Sequence, residues 1–195
     1  MTEFLEELRR IAQLGLNYTR DPFDRARYER LLELAAIEYE SLCGLPKETA
    51  IERFRRDVGH VTPHVGVDAA IFDSERRMLL IRRSDDGLWA MPGGWAELGE
   101  TPQRSTEREV FEEVGLIVEA RDIINVTSRL PGEYGQPHTS CHLLFHCVVT
   151  GGQLTTTEEA IEAGYHDPES ISEWHRDHGE RVKAAVRFSR ERLGN

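Results

Sequence analysis

The stretch that most constrains this chain runs from Thr101 to Leu116, because its residues delimit a short helix at both ends. Thr101 and Pro102 are the residue types that open a helix, as N-cap and as first helical residue. Gly115 is the residue type that ends a helix in a left-handed conformation. The pattern therefore predicts a helix of about 12 to 14 residues between these two signals.

This predicted helix concentrates negative charge. Glu109, Glu112 and Glu113 share one face, because residues three and four apart are neighbours on a helix, and like charges at that spacing repel each other. A divalent cation relieves such repulsion, and oxygen ligands without histidine or thiolate suit Mg²⁺, or Mn²⁺, better than Zn²⁺. Mg²⁺ often bridges to phosphates, so the implied substrate is a phosphate ester or anhydride. The alternative is a solvated acidic face on an ordinary helix, and the cluster by itself does not exclude it.

The surrounding residues match a longer pattern, G-x5-E-x7-R-E-U-x-E-E-x-G-U, in which U is a bulky aliphatic residue. Every defined position is present, namely Gly94, Glu100, Arg108, Glu109, Val110, Glu112, Glu113, Gly115 and Leu116. On this signature the chain resembles the Nudix hydrolases. The resemblance implies an α/β fold, an α/β/α sandwich around a mixed sheet, in which a loop–helix–loop holds the metal. It also implies cleavage of a nucleoside diphosphate linked to another moiety, with water attacking a phosphorus of the anhydride.

The resemblance assigns metal ligands to matching positions of this chain. Glu109, Glu112 and Glu113 would bind the metal, and Glu112 or Glu113 would also deprotonate the attacking water. Gly94 would let its backbone carbonyl approach the ion, since a residue without Cβ permits close contact. Glu97, in the same loop, is a further candidate ligand, and its alternative is an ordinary surface carboxylate of a loop.

The resemblance also points to residues around the signature. Glu100 would form a salt bridge with Arg108 that braces the loop against the helix. Many family members carry another catalytic glutamate on a late loop, where Glu159 and Glu162 are the candidates here. The segment from Glu158 to Glu162 is equally compatible with a solvated helical turn.

Three further side chains are candidates for substrate binding. Arg82 follows the apolar run Met78 to Ile81, and Trp89 precedes the glycines of the signature loop. Arginine suits phosphate recognition and an indole ring suits stacking on a base. The alternatives are an edge-strand charge for Arg82 and a core aromatic for Trp89. Arg129 is a weaker candidate of the same kind.

Charge and composition restrict the partners. The chain has 24 Lys and Arg against 35 Asp and Glu, a formal net charge of -11, which repels a nucleic-acid backbone in the absence of metal. RNA 5′ ends are the one nucleic-acid substrate left open. We expect no membrane partner, because no apolar run approaches the ~18 to 20 residues of a membrane span. The charged opening segment is unlike a secretion signal, so we expect a cytoplasmic protein.

The apolar pattern changes along the chain and predicts two regions. Residues 1–60 have helical periodicity and form a small all-α N-terminal region, in which Asp21 and Gly44 mark the start and the end of a helix. Residues 61–195 mix helices with period-two strands, among them Val118 to Ala120 and Ile123 to Leu130. Further likeness, at residues 11–18, 21–24, 27–29 and 87–95, is to bacterial Nudix proteins with a helical N-terminal extension. That group includes CDP-choline pyrophosphatase and relatives assigned to ADP-ribose. It implies a homodimer formed through the helices.

These features lead to one principal hypothesis and two alternatives. The principal hypothesis is a Mg²⁺-dependent pyrophosphohydrolase acting on a small-molecule nucleoside diphosphate derivative such as CDP-choline or ADP-ribose. The first alternative is a nucleotide-sensing regulatory Nudix module whose helical extension contacts a partner. Residues 1–57 argue against a DNA-binding extension, because 10 Lys and Arg there face 12 Asp and Glu and no basic recognition helix stands out. The second alternative is an RNA 5′-end pyrophosphohydrolase, which needs only a wider cleft.

Overall fold

The structure is a computed structural model that describes residues 2–57, 59, 62–97 and 99–192. The chain divides into two compact units, residues 1–64 with 128–140, and residues 65–127 with 141–195. The predicted boundary between residues 60 and 61 lies outside the described residues. Within those residues, no helix combines the length and the apolar character that crossing a membrane requires.

The first unit contains the helices α1 Thr2–Tyr18, α2 Pro22–Cys43 and α3 Lys47–Arg56. The side chain of Asp21 accepts hydrogen bonds at the start of α2, and Gly44 ends that helix in a left-handed conformation, as the sequence predicts. The three helices share a buried apolar cluster that includes Leu5, Leu32 and Phe54. The predicted all-α N-terminal region is therefore confirmed.

Seven strands, β1 to β7 in chain order, are found among the described residues. They form a four-stranded sheet of order β4-β1-β6-β5 and a three-stranded sheet of order β3-β2-β7. Their bounds are β1 His64–Ile71, β2 Met78–Arg83, β3 Trp89–Ala90, β4 Gly93–Trp95, β5 Leu116–Arg129, β6 Ser140–Gly152 and β7 Ala160–His166. Helix α4 spans Pro102–Val114 between β4 and β5, and α5 spans His178–Arg192 after β7.

Two helices cover opposite faces of the strands. Alternate residues of a strand point to opposite faces, and the residues of β2 divide between two buried clusters accordingly. Leu79 and Ile81 belong to the cluster that contains Val110 of α4, whereas Leu80 belongs to the cluster that contains Val182 of α5. The α/β fold with helices on both sides of the strands is confirmed.

Two strands differ from the sequence pattern. The predicted strands Val118 to Ala120 and Ile123 to Leu130 are one continuous strand, β5, because polar residues are tolerated where β5 forms the exposed edge of its sheet. The acidic segment ending at Glu162, compatible by sequence with a helical turn, runs into β7, which pairs antiparallel with β2. Pairing with a distant strand decided its conformation, and local sequence does not contain that information.

Candidate active site

Helix α4 has the ends that its sequence predicts. The side chain of Thr101 accepts a hydrogen bond from the backbone N–H of Arg104, Pro102 is the first residue, and Gly115 follows with φ of 70°. Because both ends are set locally, the positions of the acidic residues on the helix surface are also set. The tertiary structure then gives the three glutamates three different environments.

Glu113 is the buried member of the three, with 3% of its surface exposed. Its Oε2 accepts a hydrogen bond of 2.8 Å from the backbone N–H of Gly93, a residue that β4 holds against Asp68 of β1. Burial raises the pKa of Glu113 to about 8; the Gly93 N–H opposes that rise, while the negative charge of Glu109 adds to it. A protonated carboxyl at neutral pH in this environment indicates a shortage of positive charge.

Glu109 lies directly over the backbone of Gly94. A Cβ atom at position 94 would be 2.5 Å from Glu109 Cδ and 2.6 Å from both carboxylate oxygens. A side chain at position 94 would therefore displace this carboxylate, so the glycine that starts the signature gives Glu109 its observed position. Burial also raises the pKa of Glu109, and the neighbouring charges of Glu112 and Glu159 add to the rise.

Glu112 is more than half exposed and is paired with Arg108. The Nη1 of Arg108 donates to Glu112 Oε2 at 2.9 Å and to Glu109 Oε1 at 3.0 Å. Its Nε donates to Glu100 Oε2 at 3.2 Å, which is the contact that the family resemblance implies between loop and helix. Glu100 also accepts a 2.7 Å hydrogen bond from the hydroxyl of Ser105, a partner that the signature does not include.

The three signature glutamates are not gathered into a ligand group in this structure. Among the described residues, no three His, Cys, Asp or Glu side chains converge in a way that could hold a metal ion. Arg108 supplies the opposing positive charge to Glu109 and Glu112 instead, while Glu113 bonds to Gly93. The carboxylates therefore act on one another electrostatically, with Glu109 and Glu112 sharing Arg108 and Glu113 bound to the backbone.

The structure gives different surroundings to Glu159 and Glu162, the two candidates for the additional catalytic glutamate. Glu159 precedes β7, and its negative charge raises the pKa of both Glu109 and Glu113, after burial as the main cause. Its backbone is tied into the fold, since its carbonyl accepts from Ser84 N and its N–H donates to the hydroxyl of Thr157. Glu162 lies on β7 opposite Arg82 of β2. Glu159 thus belongs to the electrostatic environment of the α4 carboxylates.

Arg82, Trp89 and Glu162 form one row across the sheet β3-β2-β7, since Arg82 pairs with both others. Directly paired residues project from the same face of a sheet. Leu80, two residues before Arg82, belongs to the cluster packed on α5, so this row lies on the face that α5 covers. The Nε of Arg82 donates to the carbonyl of Gly87 at 2.9 Å. Trp89 packs edge-on against the ring of His166, at 4.6 Å between centroids.

The neighbouring Arg83 is the residue that sequence reasoning missed. Its positive charge lowers the pKa of Glu113, against the stronger effect of burial, and it is held by Asp85 through hydrogen bonds of 2.9 and 2.8 Å. Two adjacent arginines at the end of a strand signal that one of them faces the glutamates. The sequence does not reveal which one, because that depends on which sheet face α4 covers.

Arg129 and Glu97 are the remaining candidates. Arg129 is 3% exposed and lies over the ring of Tyr134 at 5.5 Å; both residues belong to the first compact unit, whereas α4 belongs to the second. Glu97 is exposed in the loop after β4, and its carbonyl accepts from the N–H of Glu100.

Comparisons with known proteins match both parts of the chain to known families. A family model described as NUDIX domain matches residues 62–187, and one described as UDP-X-like, N-terminal oligomerisation domain, matches residues 1–54. Among relatives, YjhB of Bacillus subtilis (strain 168), which carries a provisional ADP-ribose pyrophosphatase name, is 32% identical over 164 residues. That alignment covers 84% of this chain and 78% of the relative.

Solved structures agree. An ADP-ribose pyrophosphatase from Streptococcus suis 89-1591 is 26% identical with a TM-score of 0.56, covering 66% of this chain and 93% of that chain. A UDP-X diphosphatase is 24% identical with a TM-score of 0.60, covering 99% of this chain and 94% of that chain, and shows a common fold over nearly the whole length. The NUDIX match spans well over half of the 195 residues and contains every position of the acidic signature, so this protein belongs to the Nudix hydrolase family.

Proposed function

We propose that this protein is a divalent-metal-dependent pyrophosphohydrolase that cleaves the diphosphate linkage of a nucleoside diphosphate derivative, of the ADP-ribose or CDP-choline type. The observation that carries the proposal is the environment of Glu113. A carboxyl that is 3% exposed, close to other carboxylates and raised in pKa to about 8 is costly for a protein to maintain. Such perturbed groups concentrate at functional sites. The names of the relatives support ADP-ribose as the first substrate to test.

The carboxylates suit a divalent cation of the Mg²⁺ or Mn²⁺ type. The donors are hard oxygen atoms, and burial together with mutual repulsion raises the pKa of Glu109 and Glu113, so added positive charge would stabilise both as anions. Glu109, Glu112 and Glu113 would hold the cation, joined by the Gly94 carbonyl and Glu97. When bound, the cation would supply charge neutralisation for the diphosphate and activation of water.

The chain's own groups have separate tasks in this proposal. The Gly93 N–H orients Glu113, and the lack of a side chain at Gly94 gives Glu109 its position. Glu159 accepts the proton of the attacking water, because it is the late-loop acid whose charge acts on Glu109 and Glu113. Arg83 binds a phosphate oxygen of the substrate, since a guanidinium offers paired donors to phosphate.

The test is a panel of substrates incubated with the protein and Mg²⁺, followed by separation of the products. The panel contains ADP-ribose, CDP-choline, a UDP-sugar and a 5′-triphosphorylated RNA. We expect turnover of at least one diphosphate-linked compound and its loss in Glu113→Gln and Glu112→Gln. Folded wild-type protein that is inert across the panel would contradict the proposal and favour the nucleotide-sensing alternative. Turnover confined to the RNA would favour the RNA 5′-end alternative.

A matched pair of variants tests which glutamate is the general base. Glu159→Gln and Glu162→Gln make the same change of charge and size three residues apart. We expect the first to lower kcat by about 10²- to 10⁴-fold, the usual contribution of a general base, and the second to stay within a few fold of wild type. Equal losses, or the opposite order, would remove Glu159 from this role.

We further propose that residues 1–60 form a dimerisation domain and residues 61–195 the hydrolase domain. The match to an oligomerisation domain supports this, as do exposed apolar side chains on α2, with Phe23 73% and Ile37 40% exposed. Light scattering after gel filtration should give twice the chain mass of 22.3 kDa. Ile37→Glu should shift the protein towards monomer, whereas Ile123→Glu, an exposed change on β5, should not.

A further inference from the structure

The turn between β2 and β3, residues Ser84 to Leu88, is held by several backbone and side-chain hydrogen bonds. The backbone N–H of Arg83 donates to Leu88 O at 3.0 Å, and that of Gly87 donates to Arg83 O at 3.1 Å. The side chain of Asp86 accepts from the Leu88 N–H at 3.0 Å. Ser84 N donates to the carbonyl of Glu159 at 3.0 Å, which ties this turn to the proposed base. The backbone of the turn is therefore bonded at both of its ends and to the segment before β7.

A second anchor fixes the turn from its other side. The carboxylate of Asp86 is hydrogen-bonded to the Nδ1 of His175. His175 is itself 8% exposed, and its backbone N–H donates to Trp89 O at 2.8 Å. The position of Asp86, and of the residue before it, is thus set by buried structure outside the turn.

Asp85, placed by this anchored turn, binds the side chain of Arg83. The Nε and Nη2 of Arg83 donate to the two carboxylate oxygens of Asp85 at 2.9 and 2.8 Å, a two-point contact that fixes the plane of the guanidinium. A guanidinium has five N–H groups, and this contact uses two of them. Among the described residues, no hydrogen-bond partner is found for the two N–H groups of Nη1 or the second of Nη2, which leaves them for another ligand. Arg83 directly precedes Ser84, whose backbone N–H donates to the carbonyl of Glu159, so the backbone beside this arginine is bonded to the late-loop acid of the proposed site.

We propose that Asp85 is a positioning residue for substrate binding, holding Arg83 so that the unused edge of its guanidinium receives a phosphate of the diphosphate. This inference rests on the proposed function and adds the residue that organises its phosphate contact. A planar fork held in advance loses less conformational freedom when it binds phosphate. Asp86 and His175 act one step further away, by fixing the turn.

The alternative role for Asp85 is to oppose substrate binding. A carboxylate on Arg83 partly neutralises it and would compete with phosphate for the same donors. Positioning predicts weaker binding when Asp85 loses its charge, whereas competition predicts tighter binding. The sign of the change in KM therefore decides between them.

The experiment compares Asp85→Asn with Glu119→Gln. Glu119 is the matched control, because Arg121 two residues away donates to it through Nε and Nη2 at 3.0 and 2.8 Å, on β5. For Asp85→Asn we expect KM to rise about three- to fivefold, as for loss of a partly exposed ion pair, with kcat within twofold of wild type. Glu119→Gln should leave both constants unchanged. Tryptophan fluorescence should show both variants folded with unchanged melting temperatures.

A double-variant cycle tests whether Asp85 acts through Arg83. In an Arg83→Lys background the two-point contact is lost, so Asp85→Asn should have no further effect on KM. The same variants are titrated calorimetrically with ADP and Mg²⁺, and Kd should change in parallel with KM. The inference is overturned if Asp85→Asn behaves like Glu119→Gln, if it tightens binding, or if its effect persists fully beside Arg83→Lys. Wild type without turnover would instead overturn the proposed function, and the ADP titrations would still decide this inference.

Discussion

Replacing Glu113 by glutamine should stabilise the metal-free protein at neutral pH while abolishing its activity. The pKa of Glu113 is raised by burial from 4.5 to about 8. Between these values the folded state keeps a proton that the unfolded state releases, so stability is highest below pH 4.5 and falls as the pH rises towards 8. Each pH unit well inside that window costs about 1.4 kcal/mol, and the cost per unit is smaller near the two pKa values. The total between pH 5 and pH 8 is therefore about 3.5 kcal/mol.

Glutamine removes this pH dependence and keeps the local geometry. Its amide oxygen can still accept the hydrogen bond of the Gly93 N–H, and its volume is close to that of glutamate. We therefore expect the free energy of unfolding of Glu113→Gln, relative to wild type, to increase by roughly 3.5 kcal/mol from pH 5 to pH 8. Glu112→Gln is the control, because it makes the same substitution on the same helix at a side chain that is 56% exposed.

The assay is urea unfolding in the presence of a metal chelator, followed by tryptophan fluorescence. All three tryptophans belong to the second compact unit, so their signal reports the unit that contains Glu113. Stability curves of wild type and Glu113→Gln that stay parallel between pH 5 and pH 8 would refute the argument. They would mean that Glu113 is solvated or already compensated by a neighbouring charge.

Three further predictions follow from contacts in the two units. Gly94→Ala places a Cβ 2.5 Å from Glu109 Cδ and should lower kcat by about 100-fold, whereas Gly151→Ala, with its nearest atom at 3.8 Å, should leave turnover unchanged in the same assay. Arg181→Met leaves the buried carboxylate of Asp68 without its guanidinium partner and should cost about 3 to 5 kcal/mol in urea unfolding. The double variant with Asp68→Asn should recover most of that loss, and no recovery would count against the pairing. Burial lowers the pKa of His138 from 6.5 to about 3, so the first unit should lose about 1.4 kcal/mol per pH unit as the pH falls below 6.5. His138→Gln should therefore move the acid-induced loss of helical circular dichroism to lower pH, and an unchanged midpoint would exclude His138 as its cause.

Features set by neighbouring residues could be predicted from the sequence. The ends of α4 follow from Thr101, Pro102 and Gly115, and the ends of α2 from Asp21 and Gly44, because caps act within one helical turn. β5 and β7 are among the strands that could not be predicted correctly. Their extents depend on which partner strand or sheet edge they occupy, and those partners are distant in the chain.

At the site, too, local features could be predicted from the sequence, whereas features that depend on distant residues could not. The sequence by itself determined that Glu109, Glu112 and Glu113 occupy one helix face, since helix geometry alone sets their spacing. Only the tertiary structure decided that Glu113 is the buried one, that Glu159 rather than Glu162 acts on it, and that Arg83 rather than Arg82 belongs to its surroundings. Burial and electrostatic interaction depend on which surfaces meet when α4 packs on the strands, and the residues on those surfaces come from distant parts of the chain.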